Sequence, residues 1–230
     1  TFGKNTSAIG LLSADRLSDN SAWRDEGCII ASREGRDDWN AIDPNFVIDD
    51  NGQPWLTYGS FWDGIQLLRL DTTLHAAAGA RPFTIARRYA KGTKSLPANP
   101  TSAYAGPNAI EAPFIFKHQG WYYLFVSHDY CCRGMKSNYR VVVGRGRTIT
   151  GPYLDREGEA MLDGGGTLVI EGDKKQYEAA GHCAVYHLPL PKKQKSGDLF
   201  FCHGYSIKSE GMPKLVIRTV RWNHGWPELK

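Results

Sequence analysis

The chain has 230 residues, 41% of them hydrophobic and 12% aromatic, and a formal net charge of +4 at pH 7. That size and composition suffice to bury a core, in one domain or in two small ones. No stretch approaches a membrane span, and no apolar secretory segment stands at the N-terminus. The basic residues are scattered apart from a cluster at 192–195, which is more typical of a solvated hairpin tip than of a nucleic-acid patch. We therefore expect no membrane and no nucleic acid among the partners.

Short apolar or alternating runs predict β-strands along the whole chain. In order, these strands lie at 7–13, 21–31, 45–48, 55–58, 64–70, 110–116, 121–127, 139–143, 183–188, 199–202, 215–220 and 225–229. Turn signals separate them, among them the tight turn at 49–52 and the proline-rich stretch at 91–107. No window keeps a helical period over several turns, so the predicted fold class is all-β.

One pattern occurs three times in the sequence: a polar residue at the head of an apolar strand, followed by a second strand. Asp43, Glu111 and His182 take that place, 68 and 71 positions apart. Four short strands per copy, repeated at about seventy residues, are typical of the blades of a β-propeller. A β-sandwich accounts for the strands but not for two acids and a histidine at one repeat position. The first strand of each blade lines the channel of a propeller, so we expect the three side chains to share one pocket.

The number of copies predicts an incomplete propeller. The first two predicted strands match the third and fourth strands of a copy whose first two strands are missing. The chain thus holds about three and a half blades, whereas propellers normally need four or more to close. We expect a single domain over residues 1–230 that forms the later part of a longer propeller. Its open edges and apolar faces call for a docked N-terminal segment or a second copy of the chain.

The cysteines leave the redox compartment open. There are five, including the adjacent pair Cys131 and Cys132, and they form neither a disulfide framework nor a C-x-x-C metal pattern. They fit a reducing compartment or a secreted enzyme with free buried thiols.

Several short motifs occur in order over nearly the whole chain. They are Ala-Ile-Asp-Pro at 41–44, Ile-Glu-Ala-Pro-Phe at 110–114, Cys-Cys-Arg-Gly at 131–134, Gly-Gly-Gly-Thr-Leu at 164–168 and Gly-Trp-Pro at 225–227. Through them the sequence resembles family 43 of the glycoside hydrolases, which are five-bladed β-propellers, and within it the endo-1,5-α-L-arabinanases. The resemblance implies an inverting glycosidase that acts on arabinan or arabino-oligosaccharides. It also implies an extracellular or periplasmic location, although these residues contain no signal peptide.

The resemblance assigns roles to the two acids. Glu111 becomes the general acid, which protonates the departing glycosidic oxygen. Its apolar strand context disfavours ionisation, which suits an acid that must stay protonated near neutral pH. Asp43 becomes the family's third carboxylate, which orients the acid and raises its pKa by like-charge repulsion. Without the resemblance, Asp43 is a turn residue before Pro44 and Glu111 is a strand-end residue exposed to water. Their occurrence in register favours the catalytic interpretation.

The remaining candidate residues are implied contacts with metal and substrate. His182 matches a histidine beside a central metal ion, assigned as calcium and largely coordinated by water; the alternative is a buried histidine with protein partners. Zinc is not expected, because His182 and His187 point to opposite faces of one strand. The implied substrate contacts are a stacking aromatic near the N-terminus, a loop after a second strand, and the cysteine pair. These contacts are Phe2, Ser60, Phe61, Ile65, Cys131 and Cys132. The alternative for the pair is a purely structural role, for example as a vicinal disulfide.

One catalytic group of the family has no match in this sequence. The general base of family 43 is an aspartate of the first blade, in a stretch resembling His-Asp-Pro, and no such stretch precedes Ser7. Asp43 already matches another carboxylate, so we expect the base to lie outside these residues and the chain alone to be inactive. Two alternatives stay open. One is a non-catalytic arabinan-binding remnant, and the other is a family 43 arabinofuranosidase or xylosidase.

Overall fold

The structure, a computed structural model, describes residues 4–92, 108–189 and 197–230. The predicted substrate contact Phe2 and the basic cluster at 192–195 lie outside the described residues. Within these ranges the chain forms fourteen β-strands and three short 3₁₀ turns. None of the helices in the described ranges is long and apolar enough to cross a membrane.

The strands are short and follow one another closely. They are β1 (Ser7–Ser13), β2 (Arg24–Ser32), β3 (Asn45–Ile48), β4 (Pro54–Tyr58), β5 (Ile65–Arg69), β6 (Phe83–Ala86), β7 (Ile110–His118), β8 (Trp121–His128), β9 (Arg140–Gly146), β10 (Thr167–Ile170), β11 (Tyr177–His187), β12 (Asp198–Ser206), β13 (Met212–Asn223) and β14 (Trp226–Leu229). The 3₁₀ turns lie at Gly134–Lys136, Met161–Asp163 and Ile207–Ser209.

The strands form four antiparallel sheets, which we name A to D in chain order. Sheet A is the pair β1–β2, and sheets B, C and D hold β3–β6, β7–β10 and β11–β14. Each sheet is a meander in which consecutive strands pair. The described residues thus contain three four-stranded repeats and a two-stranded part of another, which is the predicted arrangement.

The sequence patterns missed the fourth strands of sheets B and C. These strands, β6 and β10, are four residues long, and their burial does not alternate. Both lie at the outer edge of their sheets. Hydrogen bonds to one neighbouring strand define them, and hydropathy patterns do not reveal such bonds.

Layers of apolar side chains hold the sheets face to face, and β8 shows how. Tyr122, Leu124 and Val126 pack toward sheet B, whereas Tyr123 and Phe125 pack toward sheet D. Successive side chains of a strand point to opposite faces, so a strand between two sheets is apolar at every position. This explains the continuous apolar run of β8. A third layer lies between sheets A and B.

The outer face of sheet D differs from the faces between the sheets. It exposes large apolar side chains, with Tyr186, Leu215 and Ile217 at 58%, 63% and 47% exposure. No sheet among the described residues packs against this face. Such a face is compatible with the predicted docking of a further segment or a second copy, which stays a prediction.

The first strands of sheets B, C and D lie side by side, with β7 in contact with both β3 and β11. Three residues at the heads of these strands adopt the left-handed conformation: Asp43 at φ 55°, Ala112 at 52° and His182 at 52°. In β7 and β11 the residue lies inside a bulge. Ala112 is therefore the equivalent of Asp43 and His182, and the predicted register, which gave that place to Glu111, is wrong by one residue. A β-bulge adds one residue to a strand, and an alternating sequence pattern does not reveal the extra residue.

Candidate functional site

Glu111 lies at the start of β7, between sheets B and C. Only 8% of its surface is exposed. Ser60, which follows β4, forms a β-bridge with it, and the Ser60 hydroxyl donates to its Oε2 at 3.4 Å. On the other side Glu111 pairs with Ser127 of β8. Backbone pairing thus fixes Glu111 on both sides, and the Ser60 hydroxyl contacts its carboxyl.

Burial makes ionisation of Glu111 unfavourable. Removal from water raises the pKa of its carboxyl to about 8, and the negative charge of Asp43 adds to this effect. The hydrogen bond from Ser60 acts in the opposite direction, because it favours the carboxylate. At neutral pH the carboxyl therefore keeps its proton and can donate it.

Asp43 approaches Glu111 from the head of β3. Its Oδ2 accepts the backbone N–H of Ala112 at 3.2 Å, which links sheet B to the residue after Glu111. Burial raises the pKa of Asp43, while the electrostatic interaction with His182 and the N–H of Ala112 lower it. The two carboxyls thus form an interacting pair, in which Glu111 is buried and Asp43 is half-buried. Deprotonation of one disfavours deprotonation of the other.

His182 is the third member of the group and is solvent-exposed. Its backbone N–H donates to the hydroxyl of Ser127 at 2.8 Å, which ties β11 to β8. Its ring centre lies 5.7 Å from that of His203, whose pKa is lowered by burial and then by His182. Asp43, His182 and His203 line a cavity of about 340 Å³. Of the three side chains expected in one pocket, Asp43 and His182 line this cavity and Glu111 does not.

The residues around His182 do not form a calcium cage. Calcium takes about six to eight oxygen ligands, and imidazole offers nitrogen. In the described ranges, no group of three or more His, Cys, Asp and Glu side chains is placed to hold a metal ion. Asp43 and His182 can contribute at most a small part of a coordination shell, the rest of which water has to supply.

Three of the predicted substrate contacts, Ser60, Phe61 and Ile65, lie in or next to the loop after β4. Phe61 adopts φ 60°, and its N–H donates to the carbonyl of Ile110 at 2.8 Å. Ser60 bonds to Glu111 as described. Ile65 begins β5 and lies in the core between sheets B and C. All three side chains are buried, with exposures of 4% for Ser60, 9% for Phe61 and 0% for Ile65. Their contact with substrate stays a prediction.

The cysteine pair forms a vicinal disulfide beside the site. The backbone N–H of Cys132 donates to the hydroxyl of Tyr205 at 2.7 Å, and Cys131 packs against Tyr139 and Tyr205. Burial raises the pKa of Tyr139, and the charge of the nearby Glu111 contributes. These contacts support the structural interpretation of the cysteine pair. Contact with substrate stays a prediction.

Three residues of this site were not singled out from the sequence: Ser127, Tyr139 and His203. Ser127 ends an apolar strand opposite Glu111, and a cross-strand alignment of β7 and β8 would have located it. His203 lies on β12, yet pairing with β11 brings it to the side of His182. Side chains that meet through strand pairing across about twenty residues leave no local pattern.

Comparisons with known proteins agree with one another. The model of "Glycosyl hydrolases family 43" matches residues 1–227. The extracellular endo-α-(1→5)-L-arabinanase 1 of Bacillus subtilis (strain 168) is 39% identical over 227 residues, which are 99% of this chain and 62% of that protein. The crystal structure of an exo-1,5-α-L-arabinanase from a bovine ruminal metagenomic library matches 100% of this chain and 71% of that chain, with 46% identity and a TM-score of 0.86.

A further solved structure carries a ligand. It is the Cellvibrio cellulosa α-L-arabinanase complexed with arabinohexaose, which matches 100% of this chain and 70% of that chain at 38% identity and a TM-score of 0.86. The chain spans 62% of the length of the B. subtilis relative. The similarity therefore extends over all or nearly all of this chain but over only part of each relative.

Proposed function

This chain belongs to family 43 of the glycosyl hydrolases, and from that membership we propose that it carries the general acid of an arabinan-cleaving glycosidase. The predicted family and the predicted fold, a propeller of the five-bladed type with about three and a half blades in this chain, are confirmed. One observation carries the proposal. Glu111 is only 8% exposed and its carboxyl lies beside a second carboxyl, that of Asp43, and this environment raises its pKa and favours the protonated form.

In the proposed mechanism Glu111 donates its proton to the glycosidic oxygen as the bond to the sugar breaks. A general acid works best when its pKa lies near the operating pH, and the value of about 8 meets that condition. Ser60 fixes the orientation of the carboxyl through its hydrogen bond to Oε2. It also stabilises the carboxylate that remains after proton transfer.

Asp43 acts through Glu111. Its negative charge raises the pKa of the acid, and its bond to the N–H of Ala112 fixes the backbone next to the acid. His182 in turn lowers the pKa of Asp43, which keeps more of the Asp43 carboxylate ionised. We propose that these electrostatic interactions keep the proton on Glu111 rather than on Asp43.

We still predict that the general base comes from outside these 230 residues. An inverting glycosidase places its base across a water from the acid, whereas Asp43 lies beside Glu111 and touches the same backbone segment. A docked segment or a second copy stays the predicted source. Calcium near His182 also stays a prediction, with water as its main ligand.

The relatives divide over the mode of cleavage. The B. subtilis relative is named an endo-arabinanase and the ruminal relative an exo-arabinanase. We propose endo cleavage of α-1,5-linked L-arabinan and secretion, the latter because the B. subtilis relative is named extracellular. A terminal arabinofuranosidase or xylosidase, or a non-catalytic arabinan-binding protein, are the alternatives that product analysis separates.

The proposal is tested with linear arabinan and the variant Glu111→Gln, which keeps the shape of the side chain and loses the proton. In the form that also contains the source of the base, we expect release of a ladder of oligosaccharides, and we expect the variant to lose about 10²–10⁴-fold in rate, with binding retained. Chromatography of the products measures both the rate and the endo or exo pattern. A variant that retains a tenth or more of the rate contradicts the role of Glu111 as the acid.

A further inference from the structure

The loop after β4 has a strained backbone where it meets the strand of the acid. Phe61 and Trp62 adopt φ values of 60° and 44°, although neither is a glycine. Two successive bulky residues in the left-handed region are unfavourable, and they persist only where the surroundings hold them. Part of that hold lies within the loop, since the N–H of Gly64 donates to the carbonyl of Phe61 at 2.7 Å. The rest has to come from neighbouring segments.

Asn108, three residues before Glu111, supplies one of these outside contacts. Its Nδ2 donates to the carbonyl of Trp62 at 2.9 Å, and its Oδ1 accepts the backbone N–H of Arg88 at 2.7 Å. A Cβ added at Gly64 would lie 3.2 Å from Nδ2, so the amide packs directly against the loop. One side chain thus joins the loop after β4, the segment after β6 and the chain that leads into β7.

The Asn108 amide extends the backbone pairing that places Ser60 against the acid. Ser60 forms a β-bridge with Glu111. The next bond joins the N–H of Phe61 to the carbonyl of Ile110 at 2.8 Å, and the bond from Asn108 to the loop follows it. The Ser60 hydroxyl lies 3.4 Å from Oε2 of Glu111, which is already long for a hydroxyl hydrogen bond. A small shift of the loop would therefore break this contact.

The titratable side chains around Glu111 lie on other segments than Asn108. They are Asp43 at the head of β3, Tyr139 ahead of β9 and His182 in β11. Burial and the charge of Asp43 raise the pKa of Glu111, whereas the hydrogen bond from Ser60 lowers it. The Asn108 amide is uncharged, so we expect its removal to act on this pKa by way of Ser60.

We propose that Asn108 is a positioning residue for the general acid, whose amide holds the loop after β4 so that the Ser60 hydroxyl stays bonded to Glu111. This inference rests on the proposed function, in which Glu111 is the acid, and deepens it. It also gives the strained loop a role, because the loop supplies the donor. Without the Asn108 amide the loop relaxes away from β7, and the Glu111 carboxylate loses the bond from Ser60.

Carbon-13 NMR titration of the Glu111 carboxyl tests the inference without turnover. Ser60→Ala removes the donor and should raise the pKa of Glu111 by about half a unit or more. Asn108→Ala should raise the same pKa by a similar amount. In the Ser60→Ala background, adding Asn108→Ala should change the pKa by no more than about 0.3 units, because the bond that Asn108 supports is already absent.

Asn5→Ala is the matched control for a structural loss. Asn5 is 1% exposed, and its Nδ2 also donates to backbone carbonyls, those of Asp37 and Trp39. We expect this variant to lower the melting temperature and to leave the pKa of Glu111 unchanged. In hydrolysis by the form that contains the source of the base, Asn108→Ala should lower kcat, keep KM within about twofold and move the alkaline limb to higher pH. A purely structural residue would not move that limb.

A second variant covers the case in which Asn108→Ala does not fold. Asn108→Asp keeps the acceptor for the Arg88 N–H and removes the donor to Trp62. Its new charge raises the pKa of Glu111 directly, and the Ser60→Ala background measures that part alone. The expected result is a larger rise with Ser60 present than without it.

The outcomes separate this inference from the proposed function. If the pKa of Glu111 rises in Ser60→Ala and not in Asn108→Ala, the inference is overturned and the proposed function stands. Equal effects of an Asn108 variant with and without Ser60 overturn it as well, since the effect then bypasses Ser60. If Ser60→Ala itself leaves the pKa unchanged, the inference fails together with the role that the proposed mechanism gives to Ser60.

Discussion

Replacing Glu111 by glutamine should make the stability of the protein less sensitive to alkaline pH. In the unfolded chain the carboxyl has its ordinary pKa of 4.5, and in the folded state its pKa is about 8. Between these values the unfolded chain releases the proton and the folded protein retains it. Stability therefore falls as the pH rises through this window. Glutamine does not titrate, so the variant lacks this loss.

The size of the effect follows from the two pKa values. Each pH unit inside the window removes about 1.4 kcal/mol from the free energy of unfolding. From pH 5 to pH 8 the wild type should therefore lose about 3 kcal/mol more than the variant does. This loss of unfolding free energy is absent at pH values below the pKa of Glu111 in the unfolded chain. It is complete at pH values above the pKa of Glu111 in the folded protein. An effect of this size is a large fraction of the stability of a typical domain.

Urea unfolding at pH 5 and at pH 8 measures this difference directly. Glu171→Gln is the control, since the side chain of Glu171 is 54% exposed, and it should behave like the wild type at both pH values. If Glu111→Gln and the wild type differ by the same amount at both pH values, the carboxyl of Glu111 ionises freely in the folded protein. The account of the site would then be refuted.

The other predictions concern the pH profile of hydrolysis and one backbone position. Asp43→Asn removes a negative charge beside Glu111, so the alkaline limb of the rate profile should move to lower pH. Ser60→Ala removes a hydrogen bond to the carboxylate, so the same limb should move to higher pH. Shifts of both variants in the same direction would contradict the assigned causes. Gly64→Ala should destabilise by roughly 2 kcal/mol or more, because a Cβ would meet the carbonyl oxygen of Ala86 at a φ of 94°. Gly35→Ala, with φ 77° and open space, is its control and should cost only about 1 kcal/mol; equal losses in thermal unfolding would exclude the close approach.

Much of the fold could be predicted because a strand between two sheets must be apolar on both faces. The run of β8 and the repeats of strand heads come from that requirement. The edge strands β6 and β10 could not be found, because pairing with one neighbour defines them. The same reasoning identified Asp43 and Glu111 as neighbours and gave the wrong register, since bulges insert residues into the repeat.

The site was predictable only where a polar residue interrupts an apolar run. Glu111 stands out for that reason. His203 does not, because only the pairing of β12 with β11 brings it beside His182. Ile65 is the converse case, because its position in the core could not be recognised from the sequence. The loop and the core strand are contiguous in sequence, and the point at which the chain turns inward depends on packing against sheet C.

The central claim is that Glu111 holds a proton at neutral pH because of its burial and its partner Asp43. Carbon-13 NMR of the glutamate carboxyl groups, titrated from acid to alkaline pH, measures that proton directly. Glu111→Gln identifies the signal. The account predicts a carboxyl that titrates at about 8 and whose pKa falls in Asp43→Asn. A Glu111 signal that titrates near the ordinary value of 4.5 would contradict it.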